Sequence, residues 1–177
     1  MMPCYGQLNT GLTPLECQRI VEVGKAFLQP ANTGYKDKDK RQGSVGWFLK
    51  GNHPEIDPLI QKAVDAFDYG VAQFFRPWSL AGLEPIQFTH YEVGDFYGWH
   101  CDAHTIADRQ PRHFSASVEL SEPNLYTGGG LEFHNTVANP IPICRQGCIT
   151  IFPSLLLHRA RIVESGSRTS LVLWGHV

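Results

Sequence analysis

No apolar run in this 177-residue chain approaches the ~18 residues that a membrane-crossing helix needs, so no membrane partner is expected. A long basic stretch is missing too, since 15 Lys and Arg stand against 17 Asp and Glu for a formal net charge of -2. Nucleic-acid binding usually needs clustered cations to neutralise phosphates, so no nucleic-acid partner is expected either. The densest charge run, Lys36 to Arg41, alternates in sign and reads as a solvated loop. The five cysteines form no framework: Cys4, Cys17 and Cys101 are scattered, and Cys144-x3-Cys148 has no second pair at zinc-like spacing. Their odd number and the absence of an apolar N-terminal stretch point to a reducing, cytoplasmic setting. Repeats and low-complexity segments are absent.

The chain does have enough apolar residues, 42%, to fill the core of one domain over 1–177. Thr13, Pro14 and Glu16 form a capping-box start for a first helix, with Cys17, Ile20, Val21, Gly24 and Phe27-Leu28 on one stripe. A polar loop over 31–44 and a strand over 45–50 precede a second amphipathic helix, about 58–75. Beyond Pro85 the pattern turns to strands, roughly 86–91, 97–102, 113–121, 130–134, 147–152, 157–163 and 168–176. Helical support over about 12–75 and a strand core over about 85–177 predict a mainly β fold with supporting helices. The architecture would be a double-stranded β-helix (a cupin-like jelly roll) with two N-terminal helices packed on the major sheet. Phe114, Ala116, Val118 and Leu120 should face the helices, leaving Ser115, Ser117 and Glu119 for a cavity.

His100 and Asp102 share one face of the strand expected over 97–102, and His158 supplies a second imidazole from a distant region. Two histidines and one carboxylate make the ligand set that holds non-haem Fe(II) by one face and leaves positions open. Arg168, ten residues after His158, offers a planar, permanently charged fork for a carboxylate, and Ser170 shares its face. A Glu-Ser-Gly-Ser turn at 164–167 would fold an antiparallel strand back and bring Arg168 beside His158. Together these residues point to an oxygenase using Fe(II) and a dicarboxylic 2-oxo acid.

Three stretches carry a family likeness: Tyr91-x-x-Gly94-x-x-Tyr97-x-Trp99-His100-x-Asp102, Tyr126-x-Gly-Gly-Gly-Leu-Glu-Phe133, and Phe152-Pro-Ser-x3-His158-x9-Arg168-x-Ser170-Leu-Val. The chain resembles, from about residue 10 to its end, the prolyl-4-hydroxylase-like Fe(II)/2-oxoglutarate dioxygenases, especially the small bacterial PKHD-type hydroxylases. That resemblance implies His100, Asp102 and His158 as iron ligands. It implies Arg168 and Ser170 at the distal carboxylate of 2-oxoglutarate, with Tyr91 hydrogen-bonding the same cosubstrate. It further implies Fe(II), 2-oxoglutarate and O2 as requirements, with ascorbate as a reductant, and hydroxylation of an unactivated C–H with release of succinate and CO2. Asp102, where a halogenase needs a small residue, argues for hydroxylation. On the strand over 114–121 the family often has a cosubstrate-contacting hydroxyl or Tyr, where this chain offers Ser115, Ser117 and Glu119.

Plainer readings stand beside these. Arg168 could make a structural salt bridge with Glu164 or Glu132, and Tyr91 could be a packed core tyrosine. Gly128-Gly-Gly130 lacks the GxxxxGK[ST] context of a phosphate cradle and reads as a hairpin turn. Tyr97 and Trp99 could border a substrate mouth or simply pack, and His104, His113 and His134 read as ordinary histidines near it. The stretch 103–113 has the polarity of a loop over the site and offers Arg109 and Arg112 to an acidic substrate. Two alternatives to a hydroxylase of prolyl or lysyl residues, free amino acids or related small molecules remain. One is a nucleic-acid-directed oxidative demethylase, which usually has a second arginine where Trp174 stands; the other is a non-catalytic metal-binding jelly-roll module.

Overall fold

The computed structural model describes residues 4–31, 40–103, 111–134 and 145–177. Strand β1 (Gly6–Asn9) leads into helix α1 (Pro14–Lys25), followed by β2 (Gln29–Pro30), β3 (Arg41–Gln42), β4 (Ser44–Phe48) and helix α2 (Asp57–Phe74). Next come β5 (Gly82–Leu83), β6 (Ile86–Tyr91), β7 (Phe96–His100), β8 (Phe114–Glu119), β9 (Thr127–Gly128) and β10 (Leu131–Phe133). The chain ends in β11 (Cys148–Pro153), β12 (His158–Ala160), β13 (Val163–Ser165) and β14 (Arg168–His176).

Helix α1 starts at the expected cap. The Thr13 hydroxyl accepts from the Glu16 amide at 3.3 Å, and the Glu16 carboxylate accepts from the Thr13 amide at 2.8 Å, satisfying two backbone donors the helix leaves open. Helix α2 turns Ile60, Ala63, Phe67, Gly70 and Val71 inward, the three- and four-residue spacing of one helical face. That face lies against a major sheet ordered β1-β11-β8-β14-β6-β4-β2, to which β5 is added on β14. Phe88, Val118, Ile149, Ile151, Leu171 and Leu173 of this sheet are fully buried with Ile20, Phe67 and Val71 of the helices. Burial of this apolar face is the main contribution holding helices and sheet together.

Opposite lies a minor sheet, β10-β12-β7-β3, with β9 and β13 paired beside it. Two facing sheets with helices behind one of them are the expected jelly roll, and Phe114, Ala116, Val118 and Leu120 all join the helix-side core. Several expectations need correction. Residues 157–163 form two strands in different sheets, so Arg168 does not return beside His158: β12 pairs with β7 and β10, while β14 pairs with β6 and β8. A jelly roll sends successive strands to opposite walls, which the turn at 164–167 does not reveal. Nor does Gly128-Gly-Gly130 close a hairpin, since β9 pairs with β13 and β10 with β12. The glycines are needed there all the same: Gly128 and Gly129 have φ of 72° and 65°, and a Cβ on Gly128 would meet the backbone of Ile162.

Part of the loop expected over 31–44 and most of that over 103–113, with His104 and Arg109, lie outside the described residues. Within the first, Arg41–Gln42 instead forms β3 on the edge of β7. Cys4, Cys17 and Cys101 are free thiols, whereas Cys148 is disulfide-bonded, a pairing that the scattered spacing did not announce. Among the described residues no helix is long and apolar enough to cross a membrane.

Candidate active site

His158 on β12 stands directly opposite His100 on β7, with ring centroids 4.2 Å apart. Each ring is fixed by the chain just before it: His100 Nδ1–H donates to the Gly98 carbonyl and His158 Nδ1–H to the Leu156 carbonyl, both at 2.8 Å. A carbonyl only accepts, so the proton sits on Nδ1 and the Nε2 lone pair is presented to the space between the strands. Asp102 lies beyond the end of β7, which stops at His100, so shared strand parity is not what places it. Its amide and that of Ala103 both donate to the Ser154 carbonyl at 3.0 Å, pinning this bend to the turn that leads to His158. Ser154 in turn hydrogen-bonds the Ser115 hydroxyl of the major sheet at 2.8 Å and donates its amide to the His113 carbonyl at 2.9 Å.

The two oxygens of Asp102 face the two imidazoles, Oδ1 at 3.5 Å from His100 Nε2 and Oδ2 at 3.5 Å from His158 Nε2. One ligand atom from each residue lies within 4.8 Å of the others. Adjacent ligands of an octahedral ion with ~2.1 Å bonds stand about 3 Å apart, so this donor set fits one face of such an ion after a small contraction. Burial alone would raise the Asp102 carboxyl, but the neighbouring imidazoles of His100 and His158 outweigh it and hold the group well below the usual range. Burial pushes His158 down, against the pull of Asp102, which keeps its imidazole neutral and able to ligate.

Across the cavity, β14 begins with Arg168, in register with Tyr91 on β6, and Ser170 lies between Thr89 on β6 and Glu119 on β8. Arg168 is buried and donates from Nε to Glu119 Oε2 at 2.9 Å and from Nη2 to the Ser117 hydroxyl at 3.4 Å. Burial works against its charge, but Glu119 more than compensates, so the guanidinium stays charged. Neither expected salt-bridge partner is used: Glu132 pairs with Arg159 and Arg161, and Glu164 with Arg161. Nε is held by Glu119, and Arg168, Ser170 and Tyr91 all line the cavity. Ser117 lines it as well, while Ser115 is engaged with Ser154 and Glu119 with Arg168.

The cavity volume is about 160 Å³, with His100, Asp102 and His158 on one wall and Arg168 and Ser170 on the other. Tyr97 stacks on His100 at 3.6 Å between centroids and lines the cavity, whereas Trp99 is 40% exposed and packs with His134 outside it. Arg112 is not free to read a substrate: it forks onto Glu84 at 2.7 and 2.6 Å and lies 3.7 Å over the Trp174 ring. His113 accepts from the Val177 amide at 3.2 Å. Arg41, Trp47, Gln87 and Trp174 also line the site, and the sequence reading missed that. Alternation along β6 and β14 from Tyr91 and Ser170 would have found Gln87 and Trp174; nothing local marks Arg41.

Residues 86–176 match the family model described as the 2OG-Fe(II) oxygenase superfamily. A PKHD-type hydroxylase of Shewanella oneidensis is 36% identical over 107 residues, 56% of this chain and 48% of that protein. The chain thus spans about half the length of the curated relatives it matches. Among solved structures, a viral collagen prolyl hydroxylase from Paramecium Bursaria Chlorella virus-1, in a 2OG complex, shares the fold with a TM-score of 0.72 at 20% identity, covering 99% of this chain and 97% of that one. A Pseudomonas putida prolyl-4-hydroxylase gives 0.71 at 24% identity, covering 98% and 92%.

Proposed function

The chain belongs to the 2OG-Fe(II) oxygenase superfamily, and from that premise we propose that it is an Fe(II)- and 2-oxoglutarate-dependent dioxygenase that hydroxylates an unactivated C–H bond. The observation that carries this reading is the convergence of His100, Asp102 and His158, with both Nε2 lone pairs facing one buried carboxylate. In the proposal these three hold Fe(II). Arg168 receives the distal carboxylate of 2-oxoglutarate on the edge that Glu119 leaves open, and the hydroxyls of Ser170 and Tyr91 complete that anchor. Iron, 2-oxoglutarate and O2 supply the oxidising chemistry, with succinate and CO2 as co-products and ascorbate as a reductant.

The chain's own contribution is placement. The backbone carbonyls of Gly98 and Leu156 fix the imidazole tautomers, Asp102 supplies the negative charge, and the two sheets confine the reacting centre within the cavity. The 177 residues act as one domain in the cytoplasm, on a prolyl or lysyl residue, a free amino acid or a related small molecule. Similarity to prolyl hydroxylases supports an amino-acid-like target.

The test is anaerobic titration of the protein with Fe(II) and 2-oxoglutarate, followed in visible light. A metal-to-ligand charge-transfer band should appear, vanish in Asp102→Ala and need more 2-oxoglutarate in Arg168→Gln. Succinate should then form on aeration with proline, lysine or proline-rich peptides as candidate substrates. A protein that takes up neither Fe(II) nor 2-oxoglutarate sinks the proposal.

A further inference from the structure

Three arginines line the cavity, and two are committed to carboxylates: Arg168 to Glu119 and Arg112 to Glu84. Arg41 is different. Among the described residues its one hydrogen bond goes from Nη2 to the neutral amide oxygen of Gln87 at 3.0 Å, and its buried Nε has no partner. A buried donor left unsatisfied is costly, so such a group calls for a functional account.

The surroundings are those of an anion reader. Gln87 accepts on Oε1 from both Arg41 and the Thr89 hydroxyl, the latter at 3.2 Å, which turns the polarity of its amide so that the nitrogen remains as a donor. That nitrogen has no hydrogen bond among the described residues. Trp47, in register with Gln87, packs near Trp174 at 6.1 Å and supplies an apolar wall. The guanidinium lies 4.5 Å over the Tyr97 ring, and Tyr97 stacks at 3.6 Å on His100. Arg41 is therefore one aromatic ring away from a proposed iron ligand, on the edge strand β3. Arg41, Trp47 and Gln87 also border a second, open groove along β2 and β4, which puts them on the partition between the cavity and the outside.

We propose that Arg41, assisted by the Gln87 amide, recognises the carboxylate of the substrate, and that this substrate is an amino-acid-sized carboxylic acid. The inference rests on the Fe(II)/2-oxoglutarate reading for its chemistry, though its binding claim stands apart from it. Three features select this class of ligand. A planar fork whose Nη1 makes no hydrogen bond among the described residues suits a carboxylate. The cavity is small, about 160 Å³ before 2-oxoglutarate enters it, which suits a short carbon chain. The spacing through Tyr97 leaves room for only a few bonds between that carboxylate and a C–H facing His100, Asp102 and His158.

Binding is tested on metal-free protein by tryptophan fluorescence, because Trp47 and Trp174 flank the site. The probes are the free L-amino acids, their carboxamides, and N-acetylated aspartyl and glutamyl amides as stand-ins for acidic residues in a peptide. Each is run with and without saturating 2-oxoglutarate. At least one free acid should bind ten-fold or more tightly than its own carboxamide. Arg41→Gln should erase that preference, Arg41→Lys should keep part of it, and 2-oxoglutarate affinity with Zn(II) should change less than two-fold in both. Thermal midpoints near wild type show that the variants fold. Equal binding of acids and carboxamides, or no binding of any free acid, overturns the proposal. So does a loss of 2-oxoglutarate affinity in Arg41→Gln, which would assign Arg41 to the cosubstrate, or binding confined to the acidic-residue stand-ins. Carboxylate binding through Arg41 in a protein that shows no charge-transfer band would instead count against the iron chemistry alone.

Discussion

The two sheets that face each other across the cavity are held in place by different means. The major sheet has two helices behind it, and Val118, Leu171 and Leu173 are sealed in the shared apolar core. The minor sheet has no such backing among the described residues: β10 and β12 are three residues long, and the buried apolar pair beneath them is Phe133 and Phe152. What it lacks in core it replaces with short-range hydrogen bonds, each imidazole tied to a carbonyl two residues upstream. One wall owes its shape to burial and the other to local polar geometry. Substitutions in the first should therefore act mainly on stability, and in the second mainly on chemistry.

Asp102→Ala puts that division to its hardest test. Removing the carboxylate between the two histidines should lower succinate formation by at least about 10³-fold, with a thermal midpoint, read by circular dichroism, close to wild type. A collapse of the fold would show that the minor sheet depends on its ligand set for stability. Arg168 blurs the division, since it belongs to the stable wall yet serves the site. Arg168→Met leaves Glu119 buried without its partner and should destabilise by about 3–5 kcal/mol in urea unfolding. Adding Glu119→Leu should restore most of that stability but none of the 2-oxoglutarate binding, separating the structural role of the pair from its chemical one. Leu171→Ala, on the helix-facing side of the same strand, should cost about 2–5 kcal/mol while the folded fraction keeps its kcat.

The smallest effect is one of pH. Burial lowers the folded-state pKa of His90, whose Nδ1 hydrogen-bonds the Thr169 hydroxyl at 2.8 Å, and burial likewise lowers that of His158. Below the ordinary histidine value of 6.5 the unfolded chain takes up protons that the folded chain refuses. Stability of the metal-free protein should thus be level above that pH and decline as pH falls toward the depressed folded values. Urea midpoints at pH 5.5 and 7.5 measure the slope, and His90→Gln should flatten it; an unchanged slope would place the titration elsewhere.

Much of this was legible in the residues. Thr13-Pro14-x-Glu16 announced α1, because a capping box has few other uses, and strict alternation along β8 separated Val118 from Ser117 and Glu119. The grouping of His100, Asp102 and His158 was legible as well, since one donor atom of each lies within 4.8 Å of the others. The partners were not. That Arg168 would choose Glu119 over Glu132 or Glu164 follows from β8 lying beside β14, a pairing between segments 49 residues apart that no local pattern encodes. Arg41 was hidden for the same reason: its relevance comes only from β3 pairing with β7, and in sequence it is the end of an alternating charge run.

Ser154 has a consequence of its own. Its carbonyl holds the amides of Asp102 and Ala103, its hydroxyl holds Ser115, and its amide holds His113. A single small residue thereby fastens the acidic member of the triad to the opposite wall and to the approach to His158. The backbone that carries Asp102 is therefore tied to both. A ligand that widens or narrows the gap between the walls will pull on that backbone, so the occupancy of the chamber and the spacing of the three donor atoms are coupled.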